Sequence, residues 1–435
     1  MKLKTFTVIF LTGMVSALFI LSGCQKCGPN PYVPVQSVTL GVVLPMDQEK
    51  GMLREKALRT AIDAINEAGG VGDGYRINLV VKSSAGANRE TVSAEVAKEI
   101  AASASNLVGF ITSFSSESIG VTEQVAIPGH FPVISGAATS GFLSGISSYF
   151  QRLCPPDAFE STIFIERAAL YGISTAAIAV EEGDTYSEDL GQAFRQGFNG
   201  GASTLVMFKQ GDPEYAAKLN LLLAGNPEAI LISMLNTQAY TEFITQLNAI
   251  HISGGLQNTS YILCDALYTG ALLDAPVTFM TGEVNGHPRN FGAIPSADTA
   301  SGPYKYFQSE LYNRYQQQPA SFNAQFYDIG FLYAMAIENA FIQSGLDDMA
   351  VFRDNVNRWI RQVSHGNPGD PTVMPSLGWK SVKYACRNGG VNYIGASGNC
   401  DIDAMGNAIT PFALYKIVQE SGSPRFEVIS VIYPR

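Results

Sequence analysis

The chain has 435 residues, 46% of them hydrophobic and 15% charged, with a formal net charge of −10. This composition is globular, and its acidity excludes a nucleic-acid surface, because phosphate recognition needs a basic face. The length exceeds what a single compact core fills and predicts two lobes.

At the amino end, Lys2 and Lys4 precede an uncharged apolar run from Phe6 to Leu21, followed by Ser22, Gly23 and Cys24. A short positive segment, an apolar stretch and small residues are the layout of an export signal. The run is shorter than the roughly 20 residues needed to span a bilayer. Leu21-Ser22-Gly23-Cys24 resembles the lipobox at which bacterial lipoproteins are cut and acylated. The resemblance implies a signal peptide over 1–23, a lipid on Cys24 and a membrane-anchored location in the cell envelope, facing the periplasm or the exterior. Residues 24–37 hold three prolines and few apolar side chains and read as a tether.

From there, apolar runs alternate with helical periodicity. A buried-type strand at 38–44 (VTLGVVL) precedes a helix from Leu53 to Ala68 with a stripe of Leu58, Ala61, Ile62 and Ile65. Strand 76–81, helix 89–103, strand 107–111, helix 116–127 and strand 132–135 follow. After Arg152 a second series begins: strands 175–180, 204–208, 229–232 and 260–264, with helices 187–199, 213–224 and 237–250 between them. Repeated βα units with short links predict an α/β chain with two doubly wound, Rossmann-like lobes. Helices at 303–317, 323–344 and 348–364 then return to the first lobe, and strands near 412–417 and 426–432 end the chain. The expected lobes are 38–151 with 286–410 and 152–285 with 411–435, joined by a hinge of about three crossovers.

Catalytic motifs are missing from the sequence. His130, His251, His287 and His365 lack metal-ligand spacing, and there is no nucleophile elbow or phosphate loop. No enzyme, metal or cofactor is expected. If Cys24 is acylated, five cysteines remain. Cys386 and Cys400 flank a Gly-rich stretch suited to fold back and are expected to form a disulfide, which would add roughly 3 kcal/mol for a loop of that size. Cys154 with Cys264 is a second possible pair, and Cys27 is left over. Ser113 and Ala137-Ala138-Thr139 follow strands at the sheet edge where doubly wound folds bind ligands. Their hydroxyls and amides suit either a carboxylate or plain helix capping.

Several segments in order, AIDAINEAGGV (61–71), VGFITSFSS (108–116), FPVISGAAT (131–139), Arg152 with Asp157, Tyr186, YILCD (261–265), FYDIGFLYAMAIENA (326–340) and NYIGASGNCDIDAMGN (392–407), resemble the type I periplasmic binding proteins. The likeness is to the branch that binds leucine, isoleucine and valine for ABC transporters. It implies a two-lobed fold whose cleft holds an amino acid. Ser113, Ala137, Ala138 and Thr139 would take its carboxylate, Asp265 its ammonium, and Tyr186 and Tyr327 would face the cleft. Two departures stand out: Pro45-Met46-Asp47-Gln48 replaces the usual Ser-Gly, and Ser233-Met234-Leu235 stands where small residues and an aromatic are usual.

The expected protein is therefore a lipid-anchored, monomeric solute receptor for amino acids or amide-like solutes. Its partners would be the membrane and ABC permease subunits, not nucleic acid. The alternative is an envelope lipoprotein of the same fold that senses solutes or contacts cell-wall synthesis without transport.

Overall fold

The computed structural model of the protein describes residues 36–86, 88–198 and 203–433. The expected signal, Cys24, Cys27 and the tether up to residue 35 lie outside them. Among the described residues, no helix is long and apolar enough to cross a membrane.

The apolar run at 38–44 forms β1 (Ser37–Leu44), whose last seven residues are all buried. Next come α1 (Glu49–Glu67), β2 (Arg76–Ser83), α2 (Arg89–Ser103), β3 (Leu107–Thr112) and α3 (Ser115–Val121). A π-turn over Thr122–Ala126 leads to a short α4 (Ile127–Gly129), then β4 (Val133–Ser135) and β5 (Phe150–Arg152). These strands are parallel in the order β2-β1-β3-β4-β5.

The second lobe starts with α5 (Asp157–Leu170), β6 (Ala176–Glu181), α6 (Thr185–Gly197), β7 (Thr204–Phe208) and α7 (Tyr215–Leu222). It continues through β8 (Ala229–Ser233), α8 (Thr237–Ile252), β9 (Ser260–Leu263) and α9 (Gly270–Leu273). A two-residue hairpin, β10 (Glu283–Val284) with β11 (His287–Pro288), precedes β12 (Asn290–Pro295). The chain then crosses back. Helices α10 (Gly302–Tyr315), α11 (Asn323–Gln343) and α12 (Met349–His365) share the core of the first sheet. Added to them are β13 (Thr372–Val373), α13 (Trp379–Asn388), β14 (Asn392–Gly395) and β15 (Gly398–Asn399). A Cβ on Gly330 of α11 would lie 2.7 Å from that of Ala61, so the glycine lets α1 and α11 cross in near-backbone contact.

A last crossing delivers β16 (Phe412–Glu420) and β17 (Ser423–Ile432) to the second sheet, ordered β17-β16-β12-β9-β8-β6-β7. Five of its strands are parallel and repeat the order of the first sheet, while β16 and β17 run antiparallel at one edge.

Two expectations are corrected here. The boundary expected at 286 falls later, because β12 pairs with β9 and β16 and belongs to the second lobe. Its Asn-Phe-Gly-Ala-Ile-Pro sequence lacks a strand's apolar run for a steric reason: a Cβ at Gly292 would meet Leu263 O at 2.5 Å and the Tyr415 ring at 2.3 Å. Second, Cys154, Cys264, Cys386 and Cys400 are all free and buried, so neither expected disulfide is formed. The stretch between Cys386 and Cys400 does turn back, as the antiparallel pair β14 and β15, but the two thiols meet different partners. Cys386 meets Glu338 and Asn339 from α11, whereas Cys400 Sγ lies 3.6 Å from Ser397 Oγ and 3.8 Å from Asp328 Oδ2.

Candidate functional site

In each sheet the strand order reverses beside the lobe's first strand, with β1 between β2 and β3 and β6 between β7 and β8. Doubly wound sheets bind ligands in the crevice at such switch points. A cavity of about 320 Å³ lies there, near the lower end of the roughly 300–1,000 Å³ common for small-molecule sites. Its wall comes from the segments after β1, β3, β4, β6, β8 and β9, and from residues 320–323 at the start of α11.

The first-lobe wall is cationic and aromatic. Lys50, Leu53 and Arg54 are spaced three and four apart and so share one face of α1's first turns. Lys50 Nζ sits 4.8 Å from the Phe114 ring centre. Arg54, 4% exposed, lies 5.4 Å from Phe114 and 5.3 Å from Phe322, distances that suit cation–π attraction. Of the three cations around Phe114, only Arg89 reaches carboxylates among the described residues, Glu117 at 3.6 Å and Asp47 at 3.9 Å. Burial and the Arg54 charge push Lys50 down to about 8, and burial lowers Arg54 to about 10. Phe322 holds a left-handed backbone with φ of 63°, a conformation costly for a bulky residue and characteristic of functional positions.

The second-lobe wall is acidic. Tyr186 opens the cavity side of α6 and donates its hydroxyl to Asp265 Oδ1 at 2.5 Å. The Asp265 amide donates to Glu160 Oε1 at 2.9 Å. Asp157 lies nearby: its amide donates to Thr139 O at 2.7 Å, but the neighbouring Thr139 hydroxyl does not complete a hydrogen bond to its carboxylate. Asp157 and Glu160 are 1% exposed. Burial raises both carboxyls well above the usual range, and the Asp265 charge raises them further. Asp265 is raised by burial too, but the Tyr186 hydroxyl and the Arg54 and Lys50 charges oppose this. Asp265 is therefore the member of this trio whose charged form both wall cations favour.

Of the residues expected at the site, Ala137, Thr139, Tyr186 and Asp265 stand at the wall together. Ser113 sits behind it: its amide donates to Glu117 Oε2 at 3.0 Å and its hydroxyl accepts from Arg54 Nη1. Ala138 is fully buried, its amide turned to Ser135 Oγ at 3.2 Å and its carbonyl to Arg152 Nη1 at 2.8 Å. Tyr327 is fully buried in an aromatic stack, 4.8 Å from Phe307 and 5.3 Å from Phe331, away from the cavity. Lys50, Arg54, Phe114 and Asn323 were not singled out from sequence. The changed loop after β1 was the available signal, since it starts the helix that brings both cations.

A family model described as the receptor family ligand binding region matches residues 53–420. No curated protein sequence matches the chain. Among solved structures, it is similar to a leucine binding protein, LivK, of Thermotoga maritima, at 20% identity and a TM-score of 0.68, covering 91% of this chain and 99% of that one. A branched-chain amino acid transporter substrate binding protein, LivJ, from Streptococcus pneumoniae in complex with isoleucine gives 18% identity, a TM-score of 0.68 and coverage of 92% and 100%. A solute binding protein of an ABC transporter from Rhodopseudomonas palustris, in complex with 3,4-dihydroxybenzoic acid, gives 17%, 0.65, and 91% and 97%.

Proposed function

Because the chain belongs to the receptor family ligand binding region, we propose that it is the solute-binding component of an ABC transporter, taking an amino acid or amide-like solute between its lobes. The observation that carries this reading is the cavity at the two switch points, with Lys50 and Arg54 on one wall and Asp265 held by Tyr186 on the other. Such a cavity offers cations for a carboxylate and an oriented carboxylate for an ammonium. The similar structures bound to isoleucine and to an aromatic acid support a carboxylate-bearing small solute as the class. Ala137 and Thr139 complete the first-lobe contact, and closure about the three crossovers brings in Asp265 and Tyr186. A solute drives closure only by binding the closed state better. The protein binds and hands over; no nucleophile–base pair suggests that it transforms its ligand. The export signal and Cys24 support a lipid-anchored receptor in the cell envelope. The intact cavity favours this reading over an interaction protein without a solute.

The test is a thermal-shift and calorimetric screen of the full chain in detergent against amino acids, amides and urea. An α-amino acid should raise the melting temperature. Asp265→Ala should weaken it about 10- to 100-fold, the scale of one charge-assisted hydrogen bond. If none of these solutes binds, or if Asp265→Ala weakens acids lacking an ammonium equally, the reading fails.

A further inference from the structure

Resting on that reading, we propose that the solute carries a second anionic group, as an acidic amino acid does, and that Lys50, Arg54 and Asn323 recognise it. Three observations converge. The first is a charge count at the wall. Among the residues lining the cavity the cations are Lys50 and Arg54, and the one carboxylate turned inside is Asp265, which already accepts from Tyr186. The surrounding acids are engaged elsewhere or open to water: Glu117 with Arg89, Glu181 with the Leu235 and Asn236 amides at 2.8 Å each, Asp184 with the Ser187 amide at 2.8 Å. Glu49 is exposed at the cavity mouth. Two cations and one anion complement a ligand with two carboxylates and one ammonium.

The second observation is a set of unpartnered polar groups on the same side. Among the described residues, Asn323, 1% exposed, finds no hydrogen-bond partner for its amide oxygen or its amide nitrogen, nor do Arg54 Nε and Gln48 Oε1. All three residues line the cavity. Buried donors and acceptors are normally satisfied, so these await a polar group of the ligand.

The third is electrostatic. Lys50 and Arg54 both lie within 5.4 Å of one ring centre, Phe114, and their mutual repulsion is part of what depresses Lys50. An anion placed between them removes that repulsion. An apolar side chain in the same place would desolvate both cations and leave Asn323 unpaired. That outcome disfavours a leucine-like solute here, whatever the fold's other users bind.

The experiment measures affinities of the full chain in detergent for L-glutamate, L-aspartate, L-glutamine, L-asparagine, L-leucine and glutarate by calorimetry. One acidic amino acid should bind at least ten-fold tighter than its amide. Lys50→Gln should erase most of that preference, and Lys50→Arg should keep it. Glutamine, asparagine or leucine binding as tightly as the acids overturns the inference and leaves the solute-receptor reading standing. Binding of glutarate without any amino acid keeps the second anion site and overturns the ammonium role of Asp265. No binding by any of the six overturns the inference, and the solute-receptor reading falls with it only if the remaining amino acids, amides and urea of the wider screen fail too. An unchanged acid-to-amide ratio in Lys50→Gln also overturns the inference.

Discussion

The first lobe contains two buried arginines used in opposite ways. Arg152, on β5 beside the first crossover, is fully buried, and each of its guanidinium nitrogens donates. Nε reaches Asn407 Oδ1 at 2.8 Å, Nη1 the Ala138 and Ser140 carbonyls at 2.8 Å, and Nη2 Ser144 Oγ at 2.7 Å. Those bonds tie the loop after β4 to the turn that precedes the last crossing. Arg54, at the cavity, donates among the described residues to Ser113 alone, with no partner there for Nε. One guanidinium completes a protein network; the other is held ready between aromatic rings. The contrast teaches where to look for recognition: burial alone does not mark a site, and unfinished hydrogen bonding points to one only where it lines a cavity.

The sharpest way to break this comparison is to truncate both side chains. Arg152→Met strands four acceptors in the core, and chemical denaturation should show a loss of about 3–5 kcal/mol, at the high end for single substitutions. Arg54→Met strands one hydroxyl, which can rotate, and removes a desolvated charge. Its stability should change by less than about 1 kcal/mol or rise, while affinity for carboxylate solutes falls. Equal losses of stability in the two variants would erase the distinction between scaffold and site.

The fold was legible because it is written in periodicity. Apolar runs such as 38–44 and 229–232 are of the kind that buried parallel strands show, and their alternation with helices pointed to the architecture. The strand at 290–295 escaped because Gly292 is demanded by the Tyr415 ring and Leu263 carbonyl, not by any strand pattern. The site was half legible. Asp265 and Tyr186 follow strand ends, and both line the cavity. Lys50 and Arg54 did not stand out, since a lysine and an arginine on a helix read as a solvated face. Only the approach of Phe114 and Phe322 from distant segments turns that face inward. The Cys386–Cys400 pair was inferred from a short Gly-rich separation, but spacing says nothing of the strand pairing that ordered the segment between them.

A middle-sized effect separates the acidic wall from the rest of the interior. Asp157 and Glu160 have folded-state values raised by burial and by Asp265. Between the unfolded value near 4 and the raised folded value, the native state holds more protons than the unfolded chain, so stability falls as pH rises through that window. Asp157→Asn removes that titration and should therefore stabilise the ligand-free protein at pH 7, by about 1.4 kcal/mol for each pH unit that separates the unfolded value from the raised folded one, up to pH 7. The gain should shrink towards pH 4 and vanish below it, where the wild-type carboxyl is protonated in both states. Denaturation midpoints across that range measure it; a gain that stays constant with pH would remove the charge from the explanation.

The smallest expected effect concerns the thiols, which lie on the finished side of the comparison. Asp328 accepts from Tyr393 Oη at 2.8 Å, Ala396 N at 2.8 Å, Ser397 N at 2.7 Å and Ser397 Oγ at 2.6 Å, and Cys400 is packed against that network. Burial and the Asp328 charge hold the Cys400 thiol well above its ordinary value, and burial beside Glu338 pushes Cys386 up to about 12. Reactivity follows thiolate content, so both should be inert in the native protein at neutral pH. Ellman's reagent should label neither until denaturant is added, and a reductant should leave the melting temperature unchanged. A clear drop in melting temperature on reduction, with mass spectrometry linking the two peptides, would restore the disulfide. It would also mean that the loop after β14 closes by a covalent bond and not through the Asp328 network.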